Sequence, residues 1–457
     1  MNLSVIILLL VTSIGVLCSG RRLATIFFLL GILYLTKGPG LEIGGVMLHP
    51  YRLLLMVGVI RVFVRSEKSE LKGVLVDKLV LGAVAWLMFA QLFHEQGEGS
   101  GIVYNLGVGF EMLASYFLIR IWCRNLEDVE ALVVPLALML VPIALSMLAE
   151  KSLQTNPMGI FGGGEWVNIR EGVVRSRGTF AHAILAGSFA AACFPIVVSC
   201  WNRNKLIAVI GGASALSMVV TCHSSGPLVS FVITCAIMAC WRHRHYAKHA
   251  VWCAIIGYLV IDLISNRPGY HAIVTRLDLT GSSTAYYRCL LIDTAVDHFH
   301  EWWLIGTDFT AHWVQSGVGS IILGGKHMDI TNMYIGAGVS GGFLSVVFLL
   351  AVIAASVRNS VILSTDEEMV PAVGARFSIW CFGAALGSMG VSGLSTSFFD
   401  QSGAFIWIFT AIISSSLEGF QAAEKSDEEM IEVLQDLEML PERRNSGYHS
   451  PERRVGL

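Results

Sequence analysis

The run Val174-Arg-Ser-Arg-Gly-Thr-Phe-Ala-His182 sets two guanidinium groups, a glycine and a histidine at the mouth of an otherwise apolar stretch. Charge held at the lip of a membrane helix is costly and marks function. Paired guanidinium groups grip phosphate or pyrophosphate through forked hydrogen bonds. Arg175 and Arg177 therefore point to a lipid-linked, phosphorylated substrate, with His182 about one helical turn further in. The competing reading is interfacial anchoring by snorkelling side chains. Placement on the outer side, where the positive-inside rule disfavours arginine, argues for the functional one.

Further candidates lie downstream. Arg276 and Arg288 fall in the segment 266–330. For Arg276 a solvated charge is the first reading. Arg288 belongs to 284–303, where Tyr287, Leu290, Leu291, Ala295 and Phe299 have helical spacing. His298 and His300 are two residues apart, which turns them to different sides of a continuous helix, so no metal site is expected. Lys326-His327-Met328-Asp329-Ile330-Thr331-Asn332 leads into an apolar run. Asp329 or Thr331 suits a helix N-cap; the alternative is that this polar group serves the same cleft as Arg175. Gly162-Gly163-Gly164 and Gly324-Gly325 read as turns, since no Lys-Ser/Thr follows to build a phosphate loop. The ten cysteines form no CxxC pair and read as packing residues.

What must position these residues is a membrane bundle. Of 457 residues, 54% are hydrophobic and 14% charged, against roughly a quarter charged in soluble domains. At about 20 apolar residues per span, candidates fall near 2–19, 23–37, 50–65, 75–93, 101–121, 129–149, 179–200, 205–222, 225–241, 249–265, 331–356, 372–392 and 402–418. The expected fold is all-α, a polytopic domain of 12–13 transmembrane helices over 1–420. Basic clusters at Arg21/Arg22, 61–72, Arg120/Arg124, Arg203/Lys205, 242–248 and Arg358 mark cytoplasmic loops. Loops 38–49, 94–100, 150–178, 266–330 and 393–401 are then external, the N-terminus outside and the C-terminus inside. Arg21 and Arg22 follow the first apolar stretch, which reads as a span and not a signal peptide. Glu111 and Asp262 are the acidic residues read within spans, and their scarcity argues against a proton-driven pump. The net charge of −3 comes with no basic tract for nucleic acid. The tail 421–457 is expected to be cytoplasmic, with an acidic amphipathic helix over 425–440 and a disordered end.

In three places the chain resembles the O-antigen ligase and O-antigen polymerase superfamily. Arg175-Ser-Arg-Gly-Thr-Phe-Ala-His182 is similar to the family's Arg-x-x-Gly-Thr-Phe segment, with Ala183-Ile184 where Pro-Asn is usual. Arg288 on a loop helix, followed by Glu301-Trp-Trp-Leu-Ile and Gly306, looks like the family's arginine helix and turn, although Pro is absent and Asp308 replaces the second Gly. Thr331-Asn332, nine residues, then Gly342-Phe-Leu-Ser345 matches the spacing of a motif that begins with His in ligases. Tyr116-Phe-Leu-Ile-Arg120 and Glu150 are also similar, and the likeness covers roughly residues 50 to 420.

The resemblance implies a GT-C-like membrane glycosyl transferase, inverting, without metal, nucleotide or other cofactor. It implies an undecaprenyl-pyrophosphate-linked oligosaccharide as donor, in a bacterial inner membrane, with the site facing the periplasm. Arg175 and Arg288 would contact the pyrophosphate, with Arg177 as helper, and stabilise the charge on the leaving group. Arg276, Thr331, Asn332 and Tyr334 are assigned to substrate binding. Thr331 cannot take a proton at neutral pH, so the base would be His327, Asp329 or His182. Loss of that His favours a polymerase of O-antigen or exopolysaccharide units over a ligase to lipid A-core. The rivals are a transporter of lipid-linked or anionic solutes and a non-catalytic assembly partner. The acidic tail would dock a chain-length regulator.

Overall fold

The computed structural model describes residues 1–419 except 37, 39, 44–45, 68–72, 95–100, 171, 277–283, 315–320 and 323–325. The tail expected over 421–457, and with it the amphipathic helix at 425–440, lies outside the described residues, as do Gly324 and Gly325.

The chain opens with helices α1 (Leu3–Cys18) and α2 (Arg21–Tyr34), a two-stranded antiparallel ribbon of β1 (Leu41–Ile43) and β2 (Val46–Leu48), then α3 (Pro50–Val64), α4 (Leu75–Ala90) and α5 (Gly101–Trp122). The long α6 (Leu126–Leu153) leads to a second ribbon, β3 (Asn168–Arg170) and β4 (Val173–Arg175). Four helices follow: α7 (Ala183–Val198), α8 (Lys205–Thr221), α9 (Ser225–Ala239) and α10 (Ala247–Ile264). The next segment holds α11 (Gly269–Arg276), α12 (Thr284–Asp297), α13 (Phe299–Trp302) and a third ribbon, β5 (Ile321–Ile322) with β6 (His327–Met328). The last helices among the described residues are α14 (Met333–Thr365), α15 (Val373–Ser392) and α16 (Gln401–Gly419).

Each of the thirteen apolar segments holds a helix. Among the described residues, seven helical stretches are long and apolar enough to cross a membrane, with Ser225–Ile264 counted as one; α1 and α8 are shorter. The count of 12–13 spans thus meets helices such as α2 and α3, of 14 and 15 residues, that fall short of a full crossing. The all-α expectation needs one amendment: the three ribbons. They sit in connections, where backbone groups with no helical partner must find one.

Side-chain caps start the helices where the chain turns in. Asn2, Asn125, Asn204 and Asn332 each accept a backbone N–H at the head of α1, α6, α8 and α14. Helix α7 is the core, buried along nearly its whole length by α8, α9 and α15; α6 packs on α8, and α14 on α4 and α15. Helix α10 buries none of its residues, as suits a helix whose solvent is lipid.

Charges inside the bundle are paired. Arg120 donates Nε and Nη2 to the two carboxylate oxygens of Asp77, each at 3.0 Å. Its Nη1 meets Glu418 at 2.8 Å, and Tyr116 donates its hydroxyl to Asp77 at 2.6 Å. This cluster joins α4, α5 and α16. Arg52 of α3 pairs with Glu111 of α5 at 2.5 Å. Asp77, inside a span, was not among the acidic residues read there; a first-turn carboxylate before an apolar run is easily taken for a cap.

Candidate functional site

The first motif is built as a strand and a turn. Arg175 lies on β4, and its Nε reaches the carbonyl of Cys222 at the end of α8 (3.5 Å). Ser176 donates its amide to the carbonyl of Thr221 and its hydroxyl to that of Met147. Gly178 turns the chain with φ of +56°, and a Cβ there would stand 2.9 Å from the Ile143 side chain, so only glycine fits. Glu150 accepts the amides of Arg177 and Gly178 at 3.0 and 3.2 Å, which fixes the turn to α6.

Arg177 is buried against the loop between α6 and α7. Its Nη2 donates to the carbonyls of Gly163, Gly164 and Trp166, and its guanidinium lies 3.7 Å from the centre of the Trp166 ring. It staples the loop between α6 and α7. Burial holds its pKa below the usual arginine value. The glycine run 162–164 is a turn, as expected, and its carbonyls are what Arg177 grips.

His182 is not within a helix but caps α7: its Nδ1 accepts the amide of Ile184 at 3.2 Å. The neutral ring then carries its proton on Nε2. Burial first, then Arg175 and Arg177, push its pKa down to about 4. At neutral pH it is an uncharged ring whose Nε2 lies 3.4 Å from Asn168 Nδ2.

Arg288 lies on α12. A Cβ placed on Gly226, in the first turn of α9, would be 3.5 Å from its Nη2 and 3.7 Å from the hydroxyl oxygen of Ser395. Arg175 touches Cys222 and Arg288 lies against Gly226, four residues on. The two arginines thus reach the same α8–α9 turn from two separate loops. The head of α9 carries the positive end of a helix dipole.

The third motif docks on the connection 393–401. Asn332 caps α14 through the amides of Tyr334 and Ile335 and donates its side-chain amide to the Leu394 carbonyl (3.0 Å). Met333 donates to the Gly393 carbonyl, Tyr334 OH to the Gly390 carbonyl, and Ser397 OH to the Ile330 carbonyl. The N-cap is therefore Asn332, not Asp329 or Thr331. The Thr331 hydroxyl is buried with no partner among the described residues. At the far end of the connection, Asp400 accepts the Ala181 amide (2.8 Å) and Gln401 donates to the Thr179 carbonyl (2.7 Å). One segment so ties the first and third motifs together, and its Ser395 lies near Gly226, against which Arg288 sits.

That segment was missed from sequence as anything more than a loop. Asp400 had a readable signal: an aspartate two residues before Ser402 and just ahead of an apolar run is an N-cap pattern, and its Oδ1 accepts the Ser402 amide at 2.8 Å. The other links run through backbone carbonyls and have no signature.

Beside it lies a cavity of about 320 Å³ between α4, α5, α14 and α16. Apolar side chains such as Leu87, Met333, Phe398 and Trp407 line it, with Glu111, Asn105, Ser345 and Asp400 among its polar groups.

Asp329 is half-buried, and burial raises its carboxyl above the ordinary value. Its backbone carbonyl accepts the hydroxyl of Tyr287, the residue before Arg288 (2.6 Å). His327 lies on β6, its Nδ1 3.4 Å from the Thr310 hydroxyl, and burial lowers its pKa. The side chain of Arg276, at the end of α11, lies outside the described residues.

The reading of 284–303 as one helix is corrected at His298. There the backbone leaves helical geometry (φ −98°, ψ 20°) and α12 ends. His298 and His300 no longer diverge; their rings stack at 6.5 Å.

No protein-family model matches the chain, and no curated protein matches it.

Proposed function

We propose that this protein joins lipid-linked oligosaccharide units into a surface polysaccharide, taking an undecaprenyl-pyrophosphate-linked donor, as the motif resemblance implies. The observation that carries the reading is the meeting of Arg175 and Arg288, from two loops, at the α8–α9 turn beside the positive end of α9. Two guanidinium groups and a helix N-terminus form a pyrophosphate cradle. The neighbouring apolar cavity suits the first isoprene units of a polyprenyl chain.

In this reading an acceptor hydroxyl attacks the anomeric carbon and the C1–O bond to phosphate breaks with inversion. The hydroxyl proton passes to Asp329, whose carboxyl burial holds above its ordinary value. His182, with its proton on Nε2, acts as a donor. Charge accumulating on the departing pyrophosphate is held by Arg175 and Arg288. Arg177 positions the loop.

Purified protein is incubated with the donor alone and with added lipid A-core, and products are resolved by gel and mass spectrometry. A ladder from donor alone, lost in Arg175→Ala and Arg288→Ala, is expected for a polymerase. Transfer only with core present would make it a ligase. No product with an authentic donor would overturn glycosyl transfer.

A transporter of lipid-linked or anionic solutes is the second reading, favoured by the buried Arg52–Glu111 pair, whose carboxylate lines the cavity. Solute flux in proteoliposomes that survives Arg288→Ala would support it.

A further inference from the structure

The end of α12 carries a cluster of side chains able to ligate a metal ion. Within one turn of the break stand His298 and Glu301, and the loop that follows brings His312 back against them. One ligand atom from each of the three lies within 4.8 Å of the other two. The His312 Nε2 is 3.1 and 3.0 Å from the two Glu301 oxygens. A tetrahedral zinc with ligands at about 2.0–2.2 Å sets its ligand atoms roughly 3.4 Å apart, so the cluster needs shifts of about 1 Å to close.

Each group is oriented from behind. His298 Nδ1 faces the Thr294 carbonyl at 2.9 Å. A carbonyl only accepts, so the ring proton sits on Nδ1 and the lone pair on Nε2 is free to bind. Trp313 Nε1 donates to Glu301 Oε2 at 2.9 Å, which holds the carboxylate. The Phe309 ring stacks parallel on His312, 5.3 Å away and tilted 5°, and His298 stacks on Trp313 at 5.2 Å.

We propose that His298, Glu301 and His312 bind a zinc ion, with the fourth position left to water. Two imidazoles and one carboxylate suit zinc over calcium or magnesium, which take oxygen ligands. The ion fastens the end of α12, and so the helix that carries Arg288, to the loop before β6. The inference stands apart from the glycosyl-transfer reading, since it concerns the shape of this segment and not its reaction.

The test uses full-length protein purified without a histidine tag, stripped with chelator and titrated with zinc chloride by calorimetry. One ion per chain is expected, and His298→Ala and His312→Ala should each weaken binding at least roughly 100-fold. His300→Ala, whose side chain is 76% exposed, should leave it unchanged. Equal binding by wild type and His298→Ala, or none by wild type at tens of micromolar zinc, would overturn the proposal. Cobalt(II) keeps the question open to answer if a variant fails to fold. The stripped wild type should show visible bands of a four- or five-coordinate N/O site. A near-ultraviolet thiolate-to-cobalt band would instead place the ion on cysteines and defeat the assignment.

Discussion

At the scale of single residues, two arginines two positions apart have opposite jobs. Arg175 reaches the α8–α9 turn, while Arg177 holds three carbonyls and an aromatic ring. Arg177→Ala should therefore cost stability, about 3 kcal/mol, seen as a lower melting temperature in detergent, with activity falling only as folded protein is lost. Arg175→Ala should leave the melting temperature within a few degrees and lower kcat far more than it alters KM, because leaving-group charge develops in the transition state. Equal melting curves for the two variants would contradict this division. Asp329 gives a pH prediction. Its folded pKa is raised, so from the ordinary carboxylate range upward the unfolded chain loses its proton first and stability falls until the folded group also ionises. Asp329→Asn should flatten that fall, measured by melting between pH 3.5 and 7, and should abolish turnover if the carboxylate is the base.

At the scale of elements, the apolar runs announced the helices and failed at their ends. The span read from 179 starts at Ala183, because Gly178 turns the chain and His182 caps the helix. The span read to 356 runs to Thr365, since a helix needs backbone bonds and not apolarity to continue. Of the site, charged side chains were legible by type, but their partners were not. Arg177 looked like Arg175 until the carbonyls of 163, 164 and 166 folded back on it. The connection 393–401 works through main-chain atoms that every sequence has. Gly342 was legible only as a spacing, yet it is where α14 breaks. With φ of +76°, it brings the backbone against Leu304, whose carbonyl oxygen would stand 2.2 Å from an added Cβ. Phe343 then donates to the Trp303 carbonyl and Thr307 to that of Val339. Gly342→Ala should release the 299–313 segment from α14, at a cost of about 2–3 kcal/mol. Limited proteolysis should then cut between 303 and 313; unchanged protection would refute the docking role.

At the scale of the whole molecule, the chain divides its polar groups between one end of the bundle, where the motifs gather, and a few charge pairs deep among the helices. Removing one partner of a buried pair leaves the other short of its counter-charge, so Asp77→Ala and Arg120→Leu should each lose about 3–5 kcal/mol, Arg120→Leu the more because it also strips Glu418 of its partner, and the double change should lose less than the sum. Melting of the single and double variants checks this, and additive losses would contradict it.

The Arg120 cluster also bears on how the protein is made. Asp77 and Arg120 are translated early, 43 residues apart, and can pair as soon as α4 and α5 have left the ribosome. Glu418 arrives some 300 residues later, at the end of α16. Until then one face of the arginine has no anion, and the nascent bundle holds an exposed polar spot that membrane chaperones and quality-control proteases can recognise. Arrival of α16 supplies that anion and removes the mark. A chain cut before residue 401 should accordingly be degraded quickly, and replacing Arg120 by leucine in the cut chain should lengthen its lifetime.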